Sequence, residues 1–350
     1  MRRRPLPPAP LRGLSLIELL VGLVVAMVAV IVVMQMFRLS EGMRRSTTGG
    51  DDAQTTGAIA LSLLQRDLRQ AGQGLMSPQL LGCQLALGNG NTVALLAPLL
   101  INPAGIPAGD ANTDVLLIAY GSSQSSPEGA LISAQTSSAT YAVTAPSSFR
   151  VTDRVIVTTP ARATPCALTL TGLAASPTPT TITVQTAVAA AANGVVYNYG
   201  PAPRFVAYAV RGGRLTSCDY MSQDCTSAAA ANWTEVADNV VSLRAMYAQD
   251  TSTPRTGQAG TYNQTTPAMS GATAWCGLTR IVGISLTLVA RNRQPETSAV
   301  AASAPIWSGQ ASVPITLSGS DAGNYRYKTF ETTVPLRNMP GATEPAFTSC

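Results

Sequence analysis

One acid, Glu18, stands inside a membrane-length apolar run between Leu14 and Phe37. A lone carboxylate at such a position costs several kcal/mol unless it finds a partner, so it points to a functional pairing. Six cysteines (Cys83, Cys166, Cys218, Cys225, Cys276 and Cys350) form the second chemically capable set. None stands in a C-x-x-C pair, which weakens metal and thioredoxin-like readings, and an even number in an oxidising compartment reads as disulfides. Cys218 and Cys225 flank a short polar loop, residues 219–224, and are the easiest pair to close. The other four cysteines allow three pairings. Asp110, Asn112 and Asp114 have the D-x-N-x-D spacing that begins a calcium loop, but the Gly and distal Glu of an EF-hand are missing. A turn leading into the strand at Val115 explains them equally well. No metal site is expected.

The chain has no histidine. That excludes a Ser-His-Asp triad, a Cys-His pair and His-ligated zinc. A Ser-Lys pair would need Lys328, the only lysine, which stands in a strand-like alternation. No catalytic residue, enzyme activity or cofactor is expected. The basic balance suggests nucleic acid or anionic lipid at first sight. Four of the 23 basic residues precede Leu14, however, which leaves 19 against 18 acids. No nucleic-acid partner is therefore expected.

These residues must be positioned by a long helix and a β-rich body. Residues 14–37 would span roughly 36 Å as a helix, more than the ~30 Å hydrocarbon core of a bilayer. A secretory signal has a shorter apolar region and an A-x-A-like site. A plain membrane anchor fits the length and the flanking arginines. Leu61, Leu64, Leu68 and Ala71 then fall at helical spacing. We read one long helix ending near Gly72-Gln73-Gly74, weakened between Gly42 and Gly57 by about 1 kcal/mol per glycine; two separate helices are the alternative. Strands are expected at 115–120, 149–158, 181–184, 195–199, 205–210, 240–247, 281–289 and 325–335. Gly212-Gly213 marks a hairpin. The Ser/Thr/Ala/Pro-rich stretches at 133–148, 174–180, 251–270 and 294–309 read as surface loops. The fold class is α+β, a long N-terminal helix packed on a β-rich C-terminal head.

The segment Arg12-Gly13-Leu14-Ser15-Leu16-Ile17-Glu18-Leu19-Leu20 resembles the class III signal of type IV pilins and pseudopilins. The resemblance implies cleavage after Gly13 by a prepilin peptidase, N-methylation of Leu14, and Glu18 as the fifth mature residue. Leu14 departs from the usual Phe but stays apolar. Residues 238–247, 280–291 and 325–338 are similar to C-terminal strands of PilW-type minor pilins, and residues 64–72 match that family's pattern at the end of the long helix. Relatives often carry an Asp/Gly-rich loop where residues 251–260 stand, so calcium binding is not carried over. The resemblance implies a cleaved leader (1–13), a transmembrane and filament-core helix (14–37), the rest of the helix (38–74) and a periplasmic head (75–350). It further implies a single-pass inner-membrane subunit that enters the pilus at or near its tip and primes assembly. Its partners would be other minor pilins, the major pilin and the assembly platform. Glu18 would meet the N-terminal amine of Leu14. A minor pseudopilin of a type II secretion system is a close alternative, separable by genomic neighbours. A tip adhesin using the Ser/Thr-rich loops is another, and its sign would be an exposed aromatic cluster. Trp233, Trp275 and Trp307 are scattered instead.

Overall fold

The computed structural model describes residues 15–75, 77–268, 275–296, 298–301, 303–317 and 322–339. Helix α1 (Leu16–Gln70) runs without interruption for 55 residues, so the glycines do not divide it. Gly57 has a packing reason, because a Cβ there would overlap the Phe330 ring. The chain forms two compact units, Met1–Asp51 and Asp52–Cys350. In the first, the large apolar side chains from Leu16 to Phe37 are all exposed. The second contains the rest of α1 and all the strands.

In the second unit, β1 (Gln84–Ala86) and β2 (Thr92–Val93) form a short antiparallel ribbon. Strands β3 (Leu99–Ile101) and β4 (Leu116–Tyr120) begin a five-stranded sheet. The chain then leaves that sheet for β5 (Ala130–Gln135), β6 (Thr140–Val143), β7 (Arg154–Val157), β8 (Ala167–Gly172), β9 (Thr181–Thr183) and β10 (Val195–Gly200). It returns as β11 (Arg204–Arg211), antiparallel to β4 with Arg204 opposite Tyr120. β12 (Arg214–Asp219) and β13 (Thr234–Ala237) complete the order β13-β12-β11-β4-β3. The last sheet is antiparallel, in the order β15-β14-β16-β17. It comprises β14 (Val240–Gln249), β15 (Thr261–Asn263), β16 (Ile281–Arg291) and β17 (Tyr327–Pro335). The short helix α2 (Cys276–Thr279) leads into β16.

The excursion between β4 and β11 is a closed barrel. Its strands pair in the order β8-β7-β10-β5-β6-β9, and a bridge between Leu173 and Val184, just past β8 and β9, closes the ring. Ile132, Tyr141, Val155, Val196 and their neighbours form a core of its own. The first half of β8 pairs in parallel with β1 and ties the barrel to the ribbon.

The main core lies under α1. Ala53, Ala60, Leu64 and Leu68 from the helix pack with inward residues of both other sheets, among them Ile118, Phe205, Ala245, Leu286 and Leu288. Leu64 and Leu68 are fully buried, worth about 2 kcal/mol each in area removed from water. The stripe at helical spacing is what the sequence shows, and the sheets are what it packs on.

Several expectations need correction. Residues 133–148 are not simply a surface loop, since they include the end of β5 and all of β6. The stretch 251–270 contains β15, its last two residues lying outside the described ones. The strand expected at 149–158 is restricted to Arg154–Val157, because Asp153 accepts the N–H of Arg150 at 2.9 Å and fixes a turn before it. Residues 294–309 include buried Trp307, which packs with Val313 and Ile315 on Met246 and Val289, covering the sheet face away from α1. The Gly212-Gly213 hairpin forms with φ of 59° and 71° between paired Arg211 and Arg214, the geometry of a type I′ turn.

Candidate functional site

Glu18 occupies the first turn of α1, where the N–H groups lack intrahelical partners and the helix dipole favours an anion. Its Oε2 accepts the N–H of Ser15 at 3.3 Å, and Ser15 Oγ accepts the N–H of Ile17 at 3.4 Å. The pair is a capping box in miniature. Gly13 and Leu14 lie outside the described residues. Beyond Glu18 the helix is apolar on every side, with a mean hydropathy of 3.1 over its best window, and Ile17 and Phe37 are 70% and 68% exposed. Among the described residues this is one helix long and apolar enough to cross a membrane. A helix apolar all round needs an apolar surrounding.

Within the second unit, the end of α1 is held to the strands by polar contacts. Asp67, on the same stripe as Leu64 and Leu68, is buried and accepts Tyr208 Oη at 2.6 Å. Burial, and then the charge of Asp67, pushes the Tyr120 phenol up to about 12, and Tyr208 is raised further by burial, its hydrogen bond to Asp67 and that residue's charge. Gln65 Nε2 donates to Thr332 Oγ1 at 2.8 Å. Asn338 Nδ2 faces the carbonyls of Arg69, Gln70 and Ala71 at 3.2–3.3 Å and so satisfies the free end of the helix. Gly72 (φ +86°) makes room, because a Cβ there would lie 2.7 Å from the Asn338 carbonyl. The segments around Leu64 and Asn338 are thus neighbours in space. Sequence reasoning had not grouped Asp67, Tyr208 and Asn338; the available signal was an acid placed on an apolar helical stripe.

The two acids of the D-x-N-x-D stretch are occupied. Asp114 accepts Arg244 Nη1 (3.0 Å), Asn102 Nδ2 (3.0 Å), the Ala245 N–H (2.9 Å) and Gln264 Nε2 (2.6 Å). It thereby joins the segment before β4 to β14. Asp110 accepts the N–H groups of Gly212 and Gly213, each at 2.8 Å. The D-x-N-x-D residues therefore brace a hairpin and a sheet junction. Among the described residues no three His, Cys, Asp or Glu side chains converge as a metal site.

The structure joins Cys218 to Cys225 and Cys83 to Cys166. Cys276 is engaged as well, and Cys350 lies outside the described residues. The loop within the Cys218–Cys225 bridge is held by Asn89 and Asn91, which donate to the Tyr220 carbonyl at 2.8 and 2.7 Å. Trp233, Trp275 and Trp307 are all buried. Lys328 lies on β17 opposite Ala290.

The described chain thus runs from a membrane-length apolar helix with an acid in its first turn into a β-rich head. Residues 207–338, from β11 to just beyond β17, match the family model of the type IV pilus-assembly protein W (PilW). That match supports a PilW-type pilus protein and involvement in type IV pilus assembly. No curated protein and no solved structure matches the chain.

Proposed function

We propose that this chain is a minor pilin that primes type IV pilus assembly and stays at or near the tip. The observation that carries the reading is the PilW match over β11–β17, the part of the head that packs on α1. Before assembly, the exposed apolar helix would hold the subunit in the inner membrane, with the arginines ahead of Leu14 on the cytoplasmic side by the positive-inside rule. Cleavage after Gly13 would free the amine of Leu14 for methylation and place it near a carboxylate, Glu18, in the same chain or a neighbour. Pairing lowers the cost of burying either charge. The helix would then move from bilayer to filament core. The prepilin peptidase, the assembly platform, other minor pilins and the major pilin are the partners this implies.

The test is purification of sheared pili from cells producing the tagged full-length chain. The chain should co-purify with other minor pilins in small amount, label the fibre end, and begin at Leu14 on N-terminal sequencing. Labelling along the whole fibre, or co-purification with secretion-system pseudopilins in its place, would overturn the reading.

A further inference from the structure

The chain enters and leaves the barrel beside the five-stranded sheet, at a point separate from the β1–β8 pairing that also ties it down. The chain leaves at Tyr120 and returns at Arg204, which face each other across β4 and β11. Where the outgoing and returning segments pass, two recesses of about 460 and 240 Å³ adjoin, sharing Ser123, Gln124, Ser125 and Asn198 as a common wall. Their combined size is that of a small-ligand site.

The chemistry of the wall is unusual for a surface fold. Asn198, on β10 and 7% exposed, donates through Nδ2 to Asp153 Oδ2 (2.8 Å), the Ser148 carbonyl (2.9 Å) and Ser125 Oγ (3.2 Å), and its Oδ1 accepts the Gly200 N–H. Asp153 is 4% exposed, and the same Oδ2 also accepts the Arg150 N–H. Its second oxygen, Oδ1, takes no hydrogen bond among the described residues, although Asp153 lines the larger recess. That oxygen is not shut away from solvent, so a donor entering the recess can reach it in place of water. Arg150, on the rim of the same recess, is exposed and its guanidinium makes no hydrogen bond or ion pair among the described residues.

The lining fits few ligands. It has one carboxylate, too few for a calcium ion that takes six to eight oxygens, commonly from several acids. The larger recess, lined mainly by serines with Thr152, Asn198, Asp153 and Arg150, lacks the apolar wall that a lipid or aromatic ligand needs, and Tyr197 and Pro127 stand only in the smaller one. Serine hydroxyls donate and accept, Asp153 Oδ1 is a fixed acceptor, and a guanidinium forks onto a carboxylate. We propose that this cleft binds an acidic carbohydrate, its ring hydroxyls on Asp153 and the serines and its carboxylate on Arg150. The larger recess lies away from the apolar part of α1, while the smaller one reaches Gln73, Gly74 and Asn338 at the helix's far end.

Calorimetry on the full-length chain in lauryldimethylamine oxide micelles tests this, since a glycoside detergent would compete for the cleft. The probes are tetragalacturonate and the neutral cellotetraose. Tetragalacturonate should bind below millimolar and at least tenfold tighter than cellotetraose. R150A should remove that preference. D153N keeps an oxygen for the Arg150 and Asn198 N–H groups but turns the outward acceptor into a donor, and should weaken tetragalacturonate at least tenfold at unchanged melting temperature. S147A, at an exposed hydroxyl of the same wall, gives a second reading if D153N unfolds, with a severalfold loss expected. No binding of either sugar, binding untouched by R150A together with D153N or S147A, or a preference for the neutral sugar each overturns the proposal.

Discussion

Glu18 has its carboxylate on the Ser15 N–H in the first turn of a helix whose next turns are apolar on all sides. Two roles can be separated at this one residue. As a cap it is worth about 1 kcal/mol of local helix stability. As a charge it would set the axial register against a neighbour's amine. Glu18→Ala makes the segment more apolar, so membrane insertion and cleavage should persist while pilus number or incorporation falls. Glu18→Gln keeps the capping acceptor and loses the charge, so it should fail like Ala. Wild-type pili with Gln, counted by microscopy beside immunoblots of processed protein, would assign the residue to capping alone. Asp250 gives a pH prediction of the opposite kind. Burial raises its carboxyl, but the N–H groups of Ser252, Gly257 and Thr256 and the Ser252 hydroxyl outweigh this and hold it at about 2 against 3.8. A depressed folded value means the contribution is present above 3.8 and is lost as pH falls through 2. Melting curves should therefore show stability declining across that window, and Asp250→Asn should flatten the decline while lowering stability at neutral pH.

The two described bridges differ in what they close, Cys218–Cys225 spanning 7 residues and Cys83–Cys166 spanning 83. The chain-entropy model gives about 2.5 kcal/mol for the short loop and about 4.5 kcal/mol for the long one. Paired Cys→Ser replacement should lower the melting temperature more at Cys83 and Cys166, where β1 and β8 meet, than at Cys218 and Cys225. Equal effects would mean that the β1–β8 pairing holds without its bridge. The difference between these bridges also shows what the sequence could convey. A seven-residue separation is visible as a loop, whereas the Cys83–Cys166 contact exists only because the barrel returns to the ribbon. The same holds for the strands. The five residues of β4 are all buried, so its apolar run was plain, and Gly212-Gly213 forced a turn by backbone chemistry. β5 and β6 face inward with Ile132, Tyr141 and Val143 and outward with Ser and Thr. Threonine suits a strand as well as a loop, so their composition resembled that of the connecting segments. Asp67, Asp114 and Asp153 were ambiguous for a related reason: an acid's role depends on donors that arrive from elements over 40 residues away.

At the scale of the whole molecule, the main core reaches back along α1 as far as Ala53, well before the helix ends. A head defined by its strands would begin near residue 75, and one defined by packing begins at Asp52. The two choices give different proteins. A fragment of residues 52–350 keeps Leu64 and Leu68 in the core, the Asp67–Tyr208 bond and the Asn338 cap. It should be monomeric, unfold cooperatively, and leave the membrane fraction because the apolar segment is gone. A fragment of residues 75–350 exposes the faces of two sheets that α1 covers and strips Tyr208 of its acceptor. Loss of the two buried leucines alone removes about 4 kcal/mol of burial, a large share of the 5–15 kcal/mol that holds a typical domain. That fragment should aggregate, or melt far below the longer one, when both are compared by sedimentation and thermal unfolding. Equal melting temperatures for the two fragments would show that the strands fold without the helix, and that α1 beyond Asp52 serves attachment and not the core.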